Sequence, residues 1–127
     1  MVSDERKLYY FAHPYTVRDA SGQFVPAGEE ANFRLCAIRS ARLLQAGVNI
    51  YSPITHTHPI HIACPEFLAA AEHNLWYTLD NQIIDRMRWD GIIMAPGWEG
   101  SGGCRAERAR FEALGLPVLL YGDIVSE

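Results

Sequence analysis

The residues with the most pointed chemistry lie between Trp89 and Tyr121, W-D-G-I-I-M-A-P-G-W-E-G-S-G-G-C-R-A-E-R-A-R-F-E-A-L-G-L-P-V-L-L-Y. Pro96 to Gly103 holds four glycines and a proline in eight residues, a composition that resists regular structure and marks a turn. The helix after it is expected over Arg105 to Leu114, which puts Glu107 in its first turn. A carboxylate there is stabilised as the anion by the helix dipole, which suits a nucleophile more than an acid. The ordinary alternative is a capping glutamate. Cys104 sits at the same helix start, where a thiol's pKa falls, so a Cys/His nucleophilic pair is a second candidate. The backbone N–H groups of Gly102 and Gly103 make a generic anion site at a helix N-terminus. Two sharper templates fail. Gly103-Cys104 stands where a P-loop needs Lys and Ser/Thr, and Glu99 stands where a nucleophile elbow needs a glycine before Ser101.

A second group is His56-x-His58-x-x-His61, which offers three imidazoles to a metal with Glu66 as the nearby carboxylate. The first two are only two apart in a proline-rich stretch, so the favoured reading is no metal, with His56 lining a pocket against phosphate or base. Trp98, inside the glycine turn, is the candidate aromatic for a pocket, whereas Trp89 beside a strand reads as packing. Arg34, Arg39 and Arg42 read as a solvated helix face, with Arg34 near enough to the helix start to reach a phosphate.

These groups need elements to hold them. Gly91 to Ala95 is a short apolar run suited to a buried strand, and Pro117 to Tyr121 is another. On the helix between them, Ala106, Ala109 or Arg110, Ala113 and Leu114 make the apolar positions, and Gly115 stands at its C-terminal cap. Strand, helix, strand in so few residues implies a right-handed parallel crossover, with the glycine turn at the carboxyl end of a strand. The pattern occurs earlier too. Leu8 to Ala12 is an aromatic strand, Thr16 to Gly28 a long loop of the kind that serves as lid or binding loop, and Glu29 to Ala46 a helix. That helix has Phe33, Ala37, Ala41 and Leu44 as its stripe and Gly47 as its cap, and Val48 to Tyr51 follows as a strand. Residues 52 to 66 read as irregular, and Phe67 to Arg88 as a helix, either whole or broken near His73-Asn74. It turns Ile83, Ile84 and Met87 to the core and puts Asp80 and Asp85 on different faces. The expected fold is α/β: a Rossmann-like or flavodoxin-like parallel sheet of about four or five strands with helices on both faces.

With 127 residues and no internal repeat, the chain reads as a single domain spanning 1–127. A net charge of −4 gives no basic footprint, so no nucleic-acid polymer is expected as partner. No apolar run reaches transmembrane length, so no membrane is expected either. The charged N-terminus leads straight into a strand, without the pattern of a signal peptide. Cys36, Cys64 and Cys104 are odd in number and have no C-x-x-C spacing, which fits a reduced, cytoplasmic setting.

The order Y-Y-F-A-H-P-Y, L-L-Q-A-G-V-N-I-Y-S-P-I-T-H, W-Y-T-L-D and W-D-G-I-I-M-A-P-G-W-E-G-S-G-G-C-R-A-E resembles the nucleoside 2-deoxyribosyltransferase superfamily. Within it the sequence is most similar to short DUF1937-type proteins with a G-W-x-x-S-x-G-x-x-x-E turn, over about residues 8 to 121. The resemblance implies a Rossmann-like fold and attack of a glutamate on C1′ of a nucleoside or nucleotide. The base leaves, and a glycosyl-enzyme is resolved by a second base or by water. Carried onto this chain, Glu107 stands at the nucleophile and Tyr10 at a tyrosine beside it. Asp80 stands at the acid that handles the leaving base, with Asp85 as rival. Ser101, Gly102 and Gly103 stand at the turn for sugar hydroxyl or 5′-phosphate, and Pro14 and Tyr15 at the pocket wall. His13 takes the place of a glycine common there. No cofactor is implied, the partner is a nucleoside or nucleotide, and a homodimer or higher homo-oligomer is favoured. Two other classes remain: a non-catalytic nucleotide sensor, which would not need Glu107, and an interaction protein that binds no nucleotide.

Overall fold

The structure, a computed structural model, describes residues 4–63 and 72–127, with side chains of the second segment from Leu75 onward. Cys64, Glu66 and the expected helix start at Phe67 lie outside the described residues. Among the described residues four strands form one sheet: β1 (Tyr9–Ala12), β2 (Ile50–Tyr51), β3 (Gly91–Met94) and β4 (Val118–Leu120). Every pairing is parallel and the order is β2-β1-β3-β4, the flavodoxin-like winding. Among the described residues the α-helices are α1 (Pro26–Gln45), α2 (Pro53–Ala63), α3 (Glu72–Arg86) and α4 (Gly102–Ala113). Among the described residues, no helix is long and apolar enough to cross a membrane.

The central strand explains the layering. All four residues of β1 are buried, and successive side chains point to opposite faces. Tyr9 and Phe11 pack with Cys36 and Leu43 of α1, Ile54 of α2 and Tyr121. Tyr10 and Ala12 pack with Ile84 of α3, Trp89, and Cys104 and Phe111 of α4. The sheet is thus covered on both faces, as the doubly wound class requires.

Several helix boundaries and faces differ from the sequence reading. Helix α1 starts at Pro26, because proline suits the first helical turn, where its missing N–H costs nothing. Gly28 belongs to that turn: a Cβ there would lie 2.8 Å from Val17 Cγ2 and 2.9 Å from Val17 Cβ. What remains of the expected lid folds on itself as a small hairpin, with an Arg18–Phe24 bridge and Val25 N–H bonded to Val17 O at 2.8 Å. The buried face of α1 is Glu29, Cys36, Arg39, Ser40 and Leu43, while Leu44 is exposed and Phe33 only partly buried. Three polar residues on the inner face hid the stripe, and Arg39 does not lie on a solvated face. Residues 53–63 are helical rather than irregular. Pro53 opens α2, and Ser52 Oγ accepts from Thr55 N–H at 3.3 Å, so the start is sound even though Pro59 removes one internal bond. Helix α3 is described from Glu72, so His73-Asn74 lie in its first described turn and the continuity expected back to Phe67 falls outside the described residues; Ile84 is buried and Ile83 partly so, but Met87 lies beyond its end and is exposed.

Helix α4 begins at Gly102, three residues early, because Ser101 is its N-cap and accepts from Cys104 N–H at 3.2 Å. Its inner stripe is Cys104, Glu107 and Phe111, while Ala106, Ala109, Ala113 and Leu114 are exposed. A glutamate therefore occupies a core-facing position.

Gly91 sets how closely β3 approaches β4. A Cβ there would lie 2.7 Å from the Pro117 carbonyl oxygen, which already accepts from Ile92 N–H at 3.0 Å. That obstacle is backbone and cannot swing away. Gly91→Ala is expected to cost about 2–3 kcal/mol and to lower Tm by roughly 10 °C. Gly100→Ala, where a Cβ meets nothing within 4 Å, serves as the control in the same thermal melts.

Candidate active site

The winding places the topological switch between β1 and β3, where connections leave the sheet toward opposite faces. The loops after these strands meet there. Gly97, in the left-handed region at φ 86°, turns the chain after β3 so closely that a Cβ would lie 3.7 Å from Pro14 Cγ. A single 3₁₀ turn, Trp98–Gly100, then leads to the Ser101 cap.

Beneath these loops, on the α3–α4 side, the Tyr10 hydroxyl donates to Glu107 Oε2. Tyr10 is fully buried, its ring fixed by Trp89 edge-on at 5.4 Å, Phe111 at 5.5 Å and Tyr51 at 6.2 Å between centroids. Asp80 arrives from α3, and its Oδ1 is buried with no hydrogen-bond partner among the described residues. Burial pushes the Glu107 carboxyl up to about 8; the Tyr10 hydrogen bond opposes the rise and the Asp80 charge adds to it. Burial likewise raises Asp80 to about 6. The Tyr51 phenol goes to about 12, by burial and then the Asp80 charge. The Tyr10 phenol is raised as well, by burial and then by the charges of Glu107 and Asp80. Two carboxyls and two phenols thus form one partly buried cluster. Ionising both carboxyls together is unfavourable, so at neutral pH the cluster retains a proton.

This overturns one expectation. Glu107 is the sixth residue of α4, past the first turn where the dipole acts, so its carboxyl is neither a cap nor held as the anion. Asp80 and Asp85 do lie on different faces, and Asp85 is exposed and paired with Arg110, away from the cluster.

Residues 6–123 match the family described as Domain of unknown function (DUF1937). The chain belongs to the DUF1937 family. No curated protein matches it.

In this DUF1937 protein the other candidate residues divide sharply. Cys104 is 1% exposed, and burial drives its thiol up to about 12, so it is a core residue and no nucleophile. The histidines of α2 do not converge on one point. His56, exposed, has Nδ1 2.9 Å from Tyr51 Oη, at the edge of the carboxyl cluster. His58 is bonded to Tyr15 and Glu30, and the His61 ring lies 6.1 Å from that of Trp76. Trp98 carries the Arg108 guanidinium over its ring at 4.5 Å, which leaves one face for any other stacking partner. Ser101 is occupied as the cap, and Gly102 and Gly103 open α4 with exposed backbone. Arg34 is exposed and paired with Glu30.

Two features escaped the sequence reading. Tyr51 pairs in register with Tyr10 across β1 and β2, which brings a second phenol to the cluster. A pair of tyrosines at matching positions of two parallel strands was the available signal. Arg39, buried, binds Glu127 through two nitrogens and donates Nη1–H to His13 Nε2 at 3.0 Å. Since His13 Nδ1 lies 2.8 Å from Pro14 O, the imidazole is the neutral Nδ1–H tautomer, and its pKa is lowered by burial. Nothing in the spacing of these residues announced that chain.

Proposed function

We propose that this DUF1937 protein cleaves the N-glycosidic bond of a nucleoside or nucleotide, with Glu107 as nucleophile and Asp80 as acid. The observation that carries the reading is the partly buried carboxyl pair with raised pKa values, beside a tyrosine hydroxyl, beneath the loops at the β1/β3 switch. Retaining glycosyl transfer needs one carboxylate and one carboxylic acid at the same pH, and a pair that shares a proton supplies both. The similarity to the nucleoside 2-deoxyribosyltransferase superfamily points the same way.

In the first step an ionised Glu107 Oε attacks C1′, the C1′–N bond breaks, and the electron pair goes to the base nitrogen, which takes the Asp80 proton. In the second, Asp80 takes a proton from water, whose oxygen attacks C1′ and releases the Glu107 carboxylate and free sugar. A second base in place of water gives a new nucleoside. Tyr10 holds Glu107 in one orientation, and its donated hydrogen bond favours the ionised form. Pro14, Tyr15 and Trp98 wall the crevice, His56 meets base or phosphate at its edge, and Ser101, Gly102 and Gly103 present the α4 N-terminus to a sugar hydroxyl or phosphate. The active unit is a homodimer or higher homo-oligomer.

A second reading is a non-catalytic nucleotide sensor. The observation in its favour is that a carboxyl raised to about 8 is mostly protonated at neutral pH and then is no nucleophile. Chromatography of nucleosides and 5′-monophosphates incubated with the protein, with and without an acceptor base, separates the two. Base release by the wild type is the expected result, and a new nucleoside with acceptor makes the protein a transferase. Binding without turnover establishes the sensor. Neither binding nor turnover sinks both.

A further inference from the structure

The most buried of the α2 histidines is His58, and its environment is unlike that of a packed core imidazole. It is 3% exposed, and both ring nitrogens are engaged by different elements. Nδ1 lies 2.7 Å from Tyr15 Oη, in the loop after β1, and Nε2 lies 3.2 Å from Glu30 Oε1, on α1. Phe33, one turn along α1, stacks on the imidazole at 4.2 Å between centroids with 23° between planes. Asn32 Nδ2–H donates to the Tyr15 carbonyl at 3.0 Å, which fixes the backbone as well. Glu30 is held in turn by Arg34, at 3.1 Å.

The chemistry sets the direction of the chain. A carboxylate can only accept, so His58 Nε2 carries the proton toward Glu30, and in the neutral imidazole this leaves Nδ1 to accept from the Tyr15 hydroxyl. The side-chain hydrogen bond from His58 is the largest influence lowering the Glu30 carboxyl, consistent with an ionised acceptor. Carboxylate, imidazole and hydroxyl thus stand in the order familiar from nucleophilic triads. Here the last member is a phenol that spends its proton on the imidazole, so the arrangement holds rather than attacks. What it holds is the residue next to Pro14, and a Cβ on Gly97 of the glycine turn would lie 3.7 Å from Pro14 Cγ, so the two loops lie side by side at the β1/β3 switch.

We propose that His58 and Glu30 are positioning residues for ligand binding: they latch the Tyr15 ring as a rigid wall of the crevice, and so set affinity rather than the chemical step. This rests on the reading of that crevice as the ligand site. A wall already immobile in the free protein spares the ligand the cost of ordering it. Loss of the latch should therefore appear in KM and leave kcat alone.

The test has two independent arms. In the ligand-free protein, imidazole nitrogen shifts of ¹⁵N-histidine-labelled material should show His58 as the neutral Nε2–H tautomer. Tyr15→Phe should move Nδ1, and Glu30→Ala should move Nε2. A different tautomer, or shifts indifferent to both changes, overturns the latch whatever the protein's reaction. In the second arm, base release and equilibrium binding are measured with the ribo- and 2′-deoxyribonucleosides and their 5′-monophosphates. Tyr15→Phe should raise KM about tenfold and Glu30→Ala about threefold to fivefold, each with kcat within about twofold of wild type. Glu30→Gln, which keeps an acceptor without the charge, should restore KM. Loss of kcat with KM unchanged would overturn the positioning role while leaving the proposed reaction in place. An intact latch in a protein that neither binds nor turns over these nucleosides and nucleotides would overturn the proposed function, and the latch's role in binding with it.

Discussion

Glu107→Gln is expected to lower kcat for base release by a factor of about 10⁴ or more, since it removes the group that forms the covalent bond. The same change should stabilise the folded protein at alkaline pH. The sign follows from linkage. Glu107 titrates at about 8 in the folded chain against 4.5 ordinarily, so between these values the native state binds more protons than the unfolded one. The contribution is fully present below pH 4.5 and is lost as pH rises through 8, when a buried carboxyl must ionise. Asp80, raised from 3.8 to about 6, adds a slope of the same sign in its own window. Glutamine keeps the shape and an acceptor for Tyr10 but cannot ionise. Thermal melts at pH 5 and pH 9 should therefore show the variant gaining on wild type by on the order of 2 kcal/mol across that range. Parallel pH profiles would mean that the Glu107 carboxylate is well solvated or paired. In turnover, kcat/KM of the wild type should be bell-shaped with limbs near 6 and 8, values that belong to the coupled pair rather than to either residue.

Phe111→Ala should be the most destabilising of the core truncations on the α4 side. Phe111 is fully buried one turn beyond Glu107, and its ring meets Tyr10 at 5.5 Å and Trp89 at 5.9 Å. Removing it leaves a cavity between α4 and the centre of the sheet, and the expected loss is about 3–5 kcal/mol. For a chain of this size that corresponds to a fall in Tm of roughly 10–20 °C. Urea unfolding should show a lower midpoint with an unchanged slope, while Leu114→Ala, at the exposed C-cap of the same helix, should move the midpoint little. Because Phe111 also fixes the Tyr10 ring, turnover at a temperature where the variant is still folded should fall too. Full turnover in the folded variant would show that Tyr10 needs no such support.

Where apolar runs and turn residues agree, the sequence was legible. Gly91 to Met94 and Val118 to Leu120 stand out as buried strands, and Gly47 and Gly115, both at positive φ, mark the ends of α1 and α4. Inner faces were harder, because they are not purely apolar. Glu29, Arg39 and Ser40 on α1 and Glu107 on α4 occupy inward positions, so hydrophobic period placed the stripes on the wrong residues. Helix α2 was invisible for a related reason: three histidines and an internal proline are poor helix signals, and the helix forms through contacts made by Ile54 and His58. The site shows the same division. Tyr10 and Glu107 are joined by a hydrogen bond across 97 positions of sequence, and Asp80 lies near enough for its charge to act on both. Tyr51 and the His58 chain depend on strand register and helix rotation, which composition does not encode.

The two described cysteines lie on opposite sides of the sheet, Cys36 at 0% and Cys104 at 1% exposure, each with its thiol raised by burial. An alkylating reagent can reach either sulfur only when its own layer comes away from the strands. If the chain unfolds as one unit, peptide-resolved mass spectrometry should find both sites modified at a common rate. If the α3–α4 layer lifts off alone, Cys104 will be modified first, and the ratio of the two rates gives the difference in opening free energy between the layer that carries the carboxyls and the layer that braces it.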